Sequence, residues 1–399
     1  MAGERPGRIL PAIVFSQLAG ASLWFSGNAL LPDLQEALGL PADALAGVTS
    51  AVQLGFIAGT LVFAVLNLAD RFRPRDLFLA SALLGALANA GTLLLPALPA
   101  PHATLLALRF ATGFFLAGIY PVGMKIAATW YREGLGVALG WLVGALVAGT
   151  ALPHLLRGAG VGGLWPQVVA GVSLLAVAGG VAMHLLVPEG PHGGSGAPFD
   201  PRAVVRAFAS PQFRASASGY FGHMWELYTL WAFAPMMLAA YAQRQALALD
   251  IPFWSFCVIA AGAVGCVGGG LVSRRAGGAR VAFGQLGFSG LCCLLSPLAY
   301  ALPPAGFLAF MLAWGVAVAG DSPQFSALNA ALAPPGYVGS ALTIVNCIGF
   351  AISVASLHAM AWLVERLPAP LWFVPVAAGP ALGLLVFRRL VFSLSASPR

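Results

Sequence analysis

Charge is scarce in this chain. Only 8% of its 399 residues are Asp, Glu, Lys or Arg, against roughly 25% in an ordinary soluble domain. A soluble fold of this size could not cover its surface with so few. That excludes a cytosolic enzyme, and the 59% apolar content excludes a disordered chain. Cysteine is also sparse. Cys257, Cys266, Cys292, Cys293 and Cys347 all fall inside apolar stretches. None has zinc-site spacing, and no disulfide framework is apparent. The sequence shows no Gly-rich phosphate loop with its Lys, no His-Glu-x-x-His and no Ser/His/Asp arrangement. No cofactor, no metal site and no enzymatic activity are expected from it. The run Gly262–Gly270 reads as a helix-packing surface. The net charge is +7, but the basic residues sit in small clusters between apolar runs, which argues against nucleic acid. No small-residue cleavage site follows the N-terminal MAGERPGR and its apolar run, so that run reads as a first helix and not as a signal peptide.

Long apolar runs are what the chain has in abundance. A helix that crosses a bilayer needs about 20 mostly apolar residues. The sequence predicts twelve, at about 9–31, 46–68, 77–98, 103–125, 135–156, 165–187, 214–240, 251–272, 281–301, 306–330, 340–361 and 369–391. Its 29 prolines and 49 glycines would punctuate soluble helices heavily, but membrane helices tolerate both. The longest polar stretch, 188–213, divides the chain into six-helix bundles at 1–187 and 214–399. With the N-terminus inside, 16 Lys and Arg fall in inside segments and three outside (Arg157, Arg244 and Arg366). That bias places both termini and the 188–213 linker in the cytoplasm.

The halves repeat. Shifted by 202 residues, RFATGFFLAGIYP (109–121) lies over MLAWGVAVAGDSP (311–323). Gly113, Gly118 and Pro121 then match Gly315, Gly320 and Pro323. A shift of 205 puts Gly134 on Gly339 and Gly144 on Gly349. Repeats of membrane helices mark secondary transporters, which bind substrate near mid-membrane. The expected fold is all-α: twelve transmembrane helices in two six-helix bundles with pseudo-two-fold symmetry.

These residues resemble the major facilitator superfamily over essentially the whole chain. The loop LADRFRPR (68–75) is similar to the family's D-R-x-G-R-R loop, with Asp70, Arg71 and Arg75 in place and Arg73 and Pro74 departing from it. Its counterpart, GGLVSRRAGGAR (269–280), is degenerate, with Ser273 at the acidic position. Arg109 followed by Gly113 resembles the family's Arg-and-Gly motif of the fourth span. Span five has the glycine spacing of the antiporter motif without its Gly-Pro pair. The resemblance implies that Asp70, Arg71 and Arg75 form a gating loop, that Arg109 serves the central cavity or a proton pathway, and that the protein is a monomer.

A charge at mid-bilayer costs about 3 kcal/mol on insertion scales, which makes it a functional hypothesis by default. Three residues qualify: Arg109, Glu226 and Asp321. Glu226 lies near the midplane in GYFGHMWELYTLW (219–231). His223 is three residues earlier, on the same helix face, so the two read as a proton site. Asp321 replaces Ile119 in the repeat. Trp24, Asn28, Gln53, Tyr120, Tyr228 and Asn346 are further cavity candidates, with Gln17, Trp231, Gln324 and Asn329 behind them. His154 and His358 are expected at the membrane interface.

The expectation is a multi-pass secondary active transporter of the cell inner membrane. It moves a small solute by alternating access, coupled to protons, with the lipid bilayer as its other partner. Efflux of drugs or metabolites is the alternative. His223-Met224, Met236-Met237 and His358-x-Met360 keep copper import open, since thioether and imidazole suit Cu(I). An intramembrane enzyme or a receptor would need a catalytic pair or a signalling domain, and neither is visible.

Overall fold

A computed structural model describes residues 6–41, 43–131, 135–159, 165–192 and 198–395. Arg5, Arg132 and Arg399 of the charge count, Gly134 of the repeat and residues 193–197 of the linker lie outside that set. Every regular element among the described residues is helical. This follows from the solvent: with no water to bond exposed amides, an apolar segment must satisfy its backbone internally. Contacts divide the chain into two compact units, Met1–Pro198 and Phe199–Arg399. The division falls inside 188–213.

Twelve long helical segments are present among the described residues. Eleven are long and apolar enough to cross a membrane: Ile9–Leu38, Ala44–Val65, Pro74–Ala97, Pro101–Trp130, Leu135–Gly158 and Trp165–Leu186 in the first unit, and Ile251–Ala276, Gly278–Ala299, Pro304–Leu332, Val338–Val364 and Ala369–Phe392 in the second. The remaining one, the seventh span in chain order, is Pro211–Arg244. It is the most polar, since it carries Arg214, His223, Glu226 and Arg244. Its 34 residues extend about 50 Å at 1.5 Å per residue, well beyond a hydrocarbon core of about 30 Å. The first span runs on to Leu38, so the loop after it is shorter than the sequence predicted.

Among the described residues, three spans consist of two α-helices with a break between them. The first consists of Ile9–Ala21 and Ser26–Leu38. The fourth consists of Pro101–Leu116 and Tyr120–Trp130, and the tenth of Pro304–Gly320 and Ser322–Leu332. The last two breaks occupy equivalent places in the repeat, just before Pro121 and Pro323. Proline has no N–H for the preceding turn, so the ladder opens there.

The matched glycines have a packing cause. In the first unit the second span lies against the fourth, and in the second unit the eighth lies against the tenth. A Cβ at Gly113 would stand 1.9 Å from the Val52 carbonyl oxygen, and one at Gly315 would stand 2.1 Å from that of Val258. Gly55 and Gly265 meet the facing backbone just as closely. These helices touch backbone to backbone, the close approach that small residues allow in membranes. Gly113→Ala and Gly315→Ala should each cost about 1–3 kcal/mol by overpacking. The check is a lower melting temperature in detergent. Gly136 and Gly284, with nothing within 4 Å, are the controls, and alanine there should be silent.

Candidate functional site

Each unit holds a buried polar knot. In the second unit, Glu226 projects from the unbroken seventh span and is fully buried. Its Oε1 accepts three hydrogen bonds: from Ser289 Oγ at 2.5 Å, Trp314 Nε1 at 2.7 Å and Cys293 Sγ at 3.3 Å. Ser289 and Cys293 are four residues apart on the ninth span and therefore share a face; Trp314 comes from the tenth. Glu226 Oε2 has no hydrogen-bond partner among the described residues.

His223 does not pair with Glu226, contrary to the sequence expectation. Its Nδ1 lies 2.8 Å from Asp321 Oδ1, with both side chains 1% exposed. The contact is at ion-pair distance but off hydrogen-bond alignment. Sharing a helix face placed His223 and Glu226 near each other, but the two side chains reach different neighbours. Asp321 occupies the break in the tenth span, where no helical turn hides it from the seventh.

In the first unit, Arg109 is 1% exposed. Its Nη2 donates to the carbonyls of Leu23 at 2.9 Å and Trp24 at 2.5 Å, and its Nη1 to Asn89 Oδ1 at 3.3 Å. Asn89 Nδ2 in turn donates to Ser173 Oγ at 3.0 Å. Leu23 and Trp24 lie in the break of the first span, just past the C-terminus of Ile9–Ala21, where exposed carbonyls favour a cation. No carboxylate lies within ion-pair distance of Arg109 among the described residues.

The knots draw on corresponding spans, one around a basic side chain and the other around an acidic one. Shifted by 202 residues, Trp24 falls on Glu226 and Arg109 on Met311; shifted by 204, Asn89 falls on Cys293. The first unit is thus built around Arg109 and the second around Glu226, from different positions of the repeat.

The weaker candidates scatter. Trp24 packs on Phe56 with ring centres 4.9 Å apart, and Asn28 donates to Thr49 at 2.6 Å. Tyr228 lies 5.3 Å from both Trp231 and Phe350. Gln53 is fully buried on the second span. Tyr120 opens the second half of the fourth span, and Asn346 is half-buried on the eleventh. Asn329 accepts from Ser216 at 2.7 Å. His154 is buried, whereas His358 is exposed. Among the described residues, no three of His, Cys, Asp and Glu gather as metal ligands.

The 68–75 loop is a short helix, Leu68–Arg71, entered through Asn67 at φ 52°, a left-handed turn that Asn tolerates better than most residues. Asp70 accepts from Lys125 Nζ at 2.6 Å, and the same amine reaches the Ala69 carbonyl at 2.6 Å. Arg71 is exposed, and Arg75 lies 3.9 Å from Asp76. A cavity of about 530 Å³ is lined by this loop, Lys125 and Val187–Pro191. The start of the linker closes its far side through Arg73–Glu189 at 3.4 Å and Trp130 Nε1 to the Pro188 carbonyl at 3.1 Å. At the other end of the first span, Asp33 holds Arg157 of the fifth in a two-pronged bond of 2.7 and 2.9 Å.

Sequence reasoning missed Ser289, Cys293, Trp314, Asn89, Lys125 and the Asp33–Arg157 pair. The i, i+4 spacing of Ser289 and Cys293 within an apolar run was a readable signal. For Lys125 and Arg157, partners far away in the chain left none.

Two repeated six-span units, each with a polar knot sealed among apolar helices, define a polytopic membrane protein built as transporters are. The profile of the Major Facilitator Superfamily matches residues 13–357, and the chain belongs to that family. Among solved structures, it is similar to the MFS proton:xylose symporter XylE bound to 6-bromo-6-deoxy-D-glucose, with TM-score 0.74, 15% identity and 97% of each chain covered. It is also similar to a bacterial homolog of the human lysosomal transporter Spinster, in an inward-facing and unoccupied conformation. There the TM-score is 0.66 and the identity 14%, over 98% of this chain and 96% of that one. No curated protein matches the chain by sequence.

Proposed function

We propose that this protein is a secondary active transporter that moves a small solute across the cell inner membrane by alternating access, with Glu226 carrying the coupled proton. The observation behind this is the environment of Glu226. It is fully buried, and no basic side chain lies within ion-pair distance among the described residues. An acid kept ionised at mid-membrane costs about 2.5–3.5 kcal/mol on insertion scales. A bound proton removes that cost, and exposure to water on one side lets the proton leave. Donors hold Oε1, so Oε2 is the oxygen left to bear the proton. The protein acts as a monomer in the bilayer, with both termini cytoplasmic.

The test is reconstitution into liposomes with an imposed pH gradient. Sugars, organic anions, nitrate-like anions and drugs are screened for solute-dependent proton flux. A carrier coupled to protons shows flux with at least one solute class and accumulates that solute against its gradient. Accumulation that ignores the pH gradient would reject proton coupling.

Orientation has its own check. A single cysteine replacing exposed Arg202 should react with an impermeant reagent only from the cytoplasmic side, and one replacing Glu36 only from the opposite side. The reverse pattern would overturn the charge-bias orientation. For the loop, Asp70→Asn should leave melting within about 1 kcal/mol, since the Lys125 pair is partly exposed. It should still change the balance of cysteine accessibility between the two faces. Unchanged accessibility and transport would reduce the loop to a topological anchor.

A further inference from the structure

The His223–Asp321 pair does work that the fold does not require. The break in the tenth span is explained by Pro323 alone, because the equivalent break in the fourth span forms before Pro121 with Ile119 in the place of Asp321. Pro323 leaves the Ala319 carbonyl without its helical donor, and the thiol of Cys266 on the eighth span supplies one at 3.2 Å. The acid is therefore an addition at the one residue that joins the two halves, Pro304–Gly320 and Ser322–Leu332. Its partner sits on the unbroken seventh span. The His223 ring also lies 6.1 Å from Phe325, on the half that follows the break.

From this geometry we infer that His223 and Asp321 form a second protonation site, distinct from Glu226, whose occupancy sets the bend of the tenth span. With one proton the pair is electrically neutral, whether written as imidazolium with carboxylate or as imidazole with carboxylic acid. Loss of that proton to water leaves a bare carboxylate, net charge −1. Burial of that charge without a partner is expensive, so release requires the break to flex and admit water. Rebinding of a proton from the other side restores the contact and the bend. Asp321 in turn acts electrostatically on Glu226 of the seventh span and Cys266 of the eighth. The ninth span presents the neutral amide of Gln285 beside Gly320. No basic side chain other than His223 lies within ion-pair distance of Asp321 among the described residues. The inference rests on the alternating-access reading, but not on Glu226 being the coupling site.

The test needs no substrate. Infrared difference spectra are recorded on the full-length protein in liposomes while the pH is stepped. Two carboxyl transitions are expected in the wild type. Glu226→Gln removes one, Asp321→Asn removes the other, and His223→Asn keeps the Asp321 band but moves its midpoint by at least one pH unit, about tenfold in proton affinity. In parallel, spin labels at Ala309 and Ala331, with Cys257 and Cys347 replaced by Ser, report the bend. Their separation should change with pH in the wild type and in Glu226→Gln, and stay fixed in Asp321→Asn. If Asp321→Asn does not fold, the His223→Asn midpoint decides alone. An unchanged midpoint there, or an Asp321→Asn spectrum identical to the wild type, overturns the inference. Either result, alongside loss of gradient-driven transport in Glu226→Gln, would leave the proposed function standing.

Discussion

Glu226→Gln should fold, bind and exchange substrate, and yet lose all accumulation driven by a pH gradient. The carboxamide keeps one oxygen, which can accept from Ser289, Trp314 and Cys293 as Oε1 does now. Its NH₂ group takes the place of Oε2, which has no partner to lose. The substitution therefore leaves the packing and the bonds intact and removes only the ability to gain and lose a proton. Net transport needs a proton to load on one face and leave on the other. Exchange needs only the loaded carrier to cross in both directions, and a permanently neutral residue 226 mimics that form. Both activities are measured in the same proteoliposomes, with and without the imposed gradient. Trp314→Phe separates a proton carrier from a merely structural acid. Loss of one hydrogen bond to a charged group is worth about 1.5–3 kcal/mol, or one to two pH units. The pH profile of transport should shift by about that amount if Glu226 titrates, and stay put if it only fastens helices. Full gradient-driven accumulation by Glu226→Gln would end the proposal and direct attention to Asp321.

The scaffold was readable because its causes are local and repeated. Apolar runs of spanning length must be helical in lipid, and the glycines and prolines at matched positions mark the same close contacts and breaks in both halves. The break in the first span was not readable, since neither Pro nor Gly sits within Ser22–Phe25; it is held by Arg109, a residue more than eighty positions away. The three charged side chains inside the apolar runs were also legible, and all three are buried. Their partners were not. Helical periodicity put His223 and Glu226 on one face, but which side chain meets which depends on the neighbouring helix. Asp321 captures His223 because a proline two residues on opens the backbone there, and Glu226 is left to the donors of the ninth and tenth spans. The seventh span, the least apolar of the twelve, shows the same limit: its central polar residues, His223 and Glu226, are tolerated because partners from other helices meet them, while Arg214 and Arg244 lie exposed nearer its ends.

Arg109→Met should be the most damaging substitution in the first unit. The chain itself supplies the comparison. Methionine is what the repeat places at the equivalent position, Met311, and there the corresponding seventh span runs unbroken from Pro211 to Arg244. In the first unit the helix stops at Ala21 and restarts at Ser26, and the guanidinium fills the gap by bonding two of the carbonyls that the break exposes. Gly27 leaves room for it, since a Cβ there would stand 3.0 Å from Arg109 Cδ and Nε. Methionine reaches the same volume but donates nothing. The Leu23 and Trp24 carbonyls and the Asn89 amide oxygen would each lose a donor, at about 1–3 kcal/mol for each buried group left unsatisfied. A loss on the order of 3 kcal/mol or more is expected, read as a large drop in melting temperature in detergent. Arg109→Lys keeps the charge but not the planar fork. It can bond one carbonyl at a time and should fall between the two. This ordering, wild type above lysine above methionine, is the mark of a cation held for its hydrogen bonds. Equal melting of all three, with transport lost only in methionine, would show that the charge serves the solute or the proton and not the break.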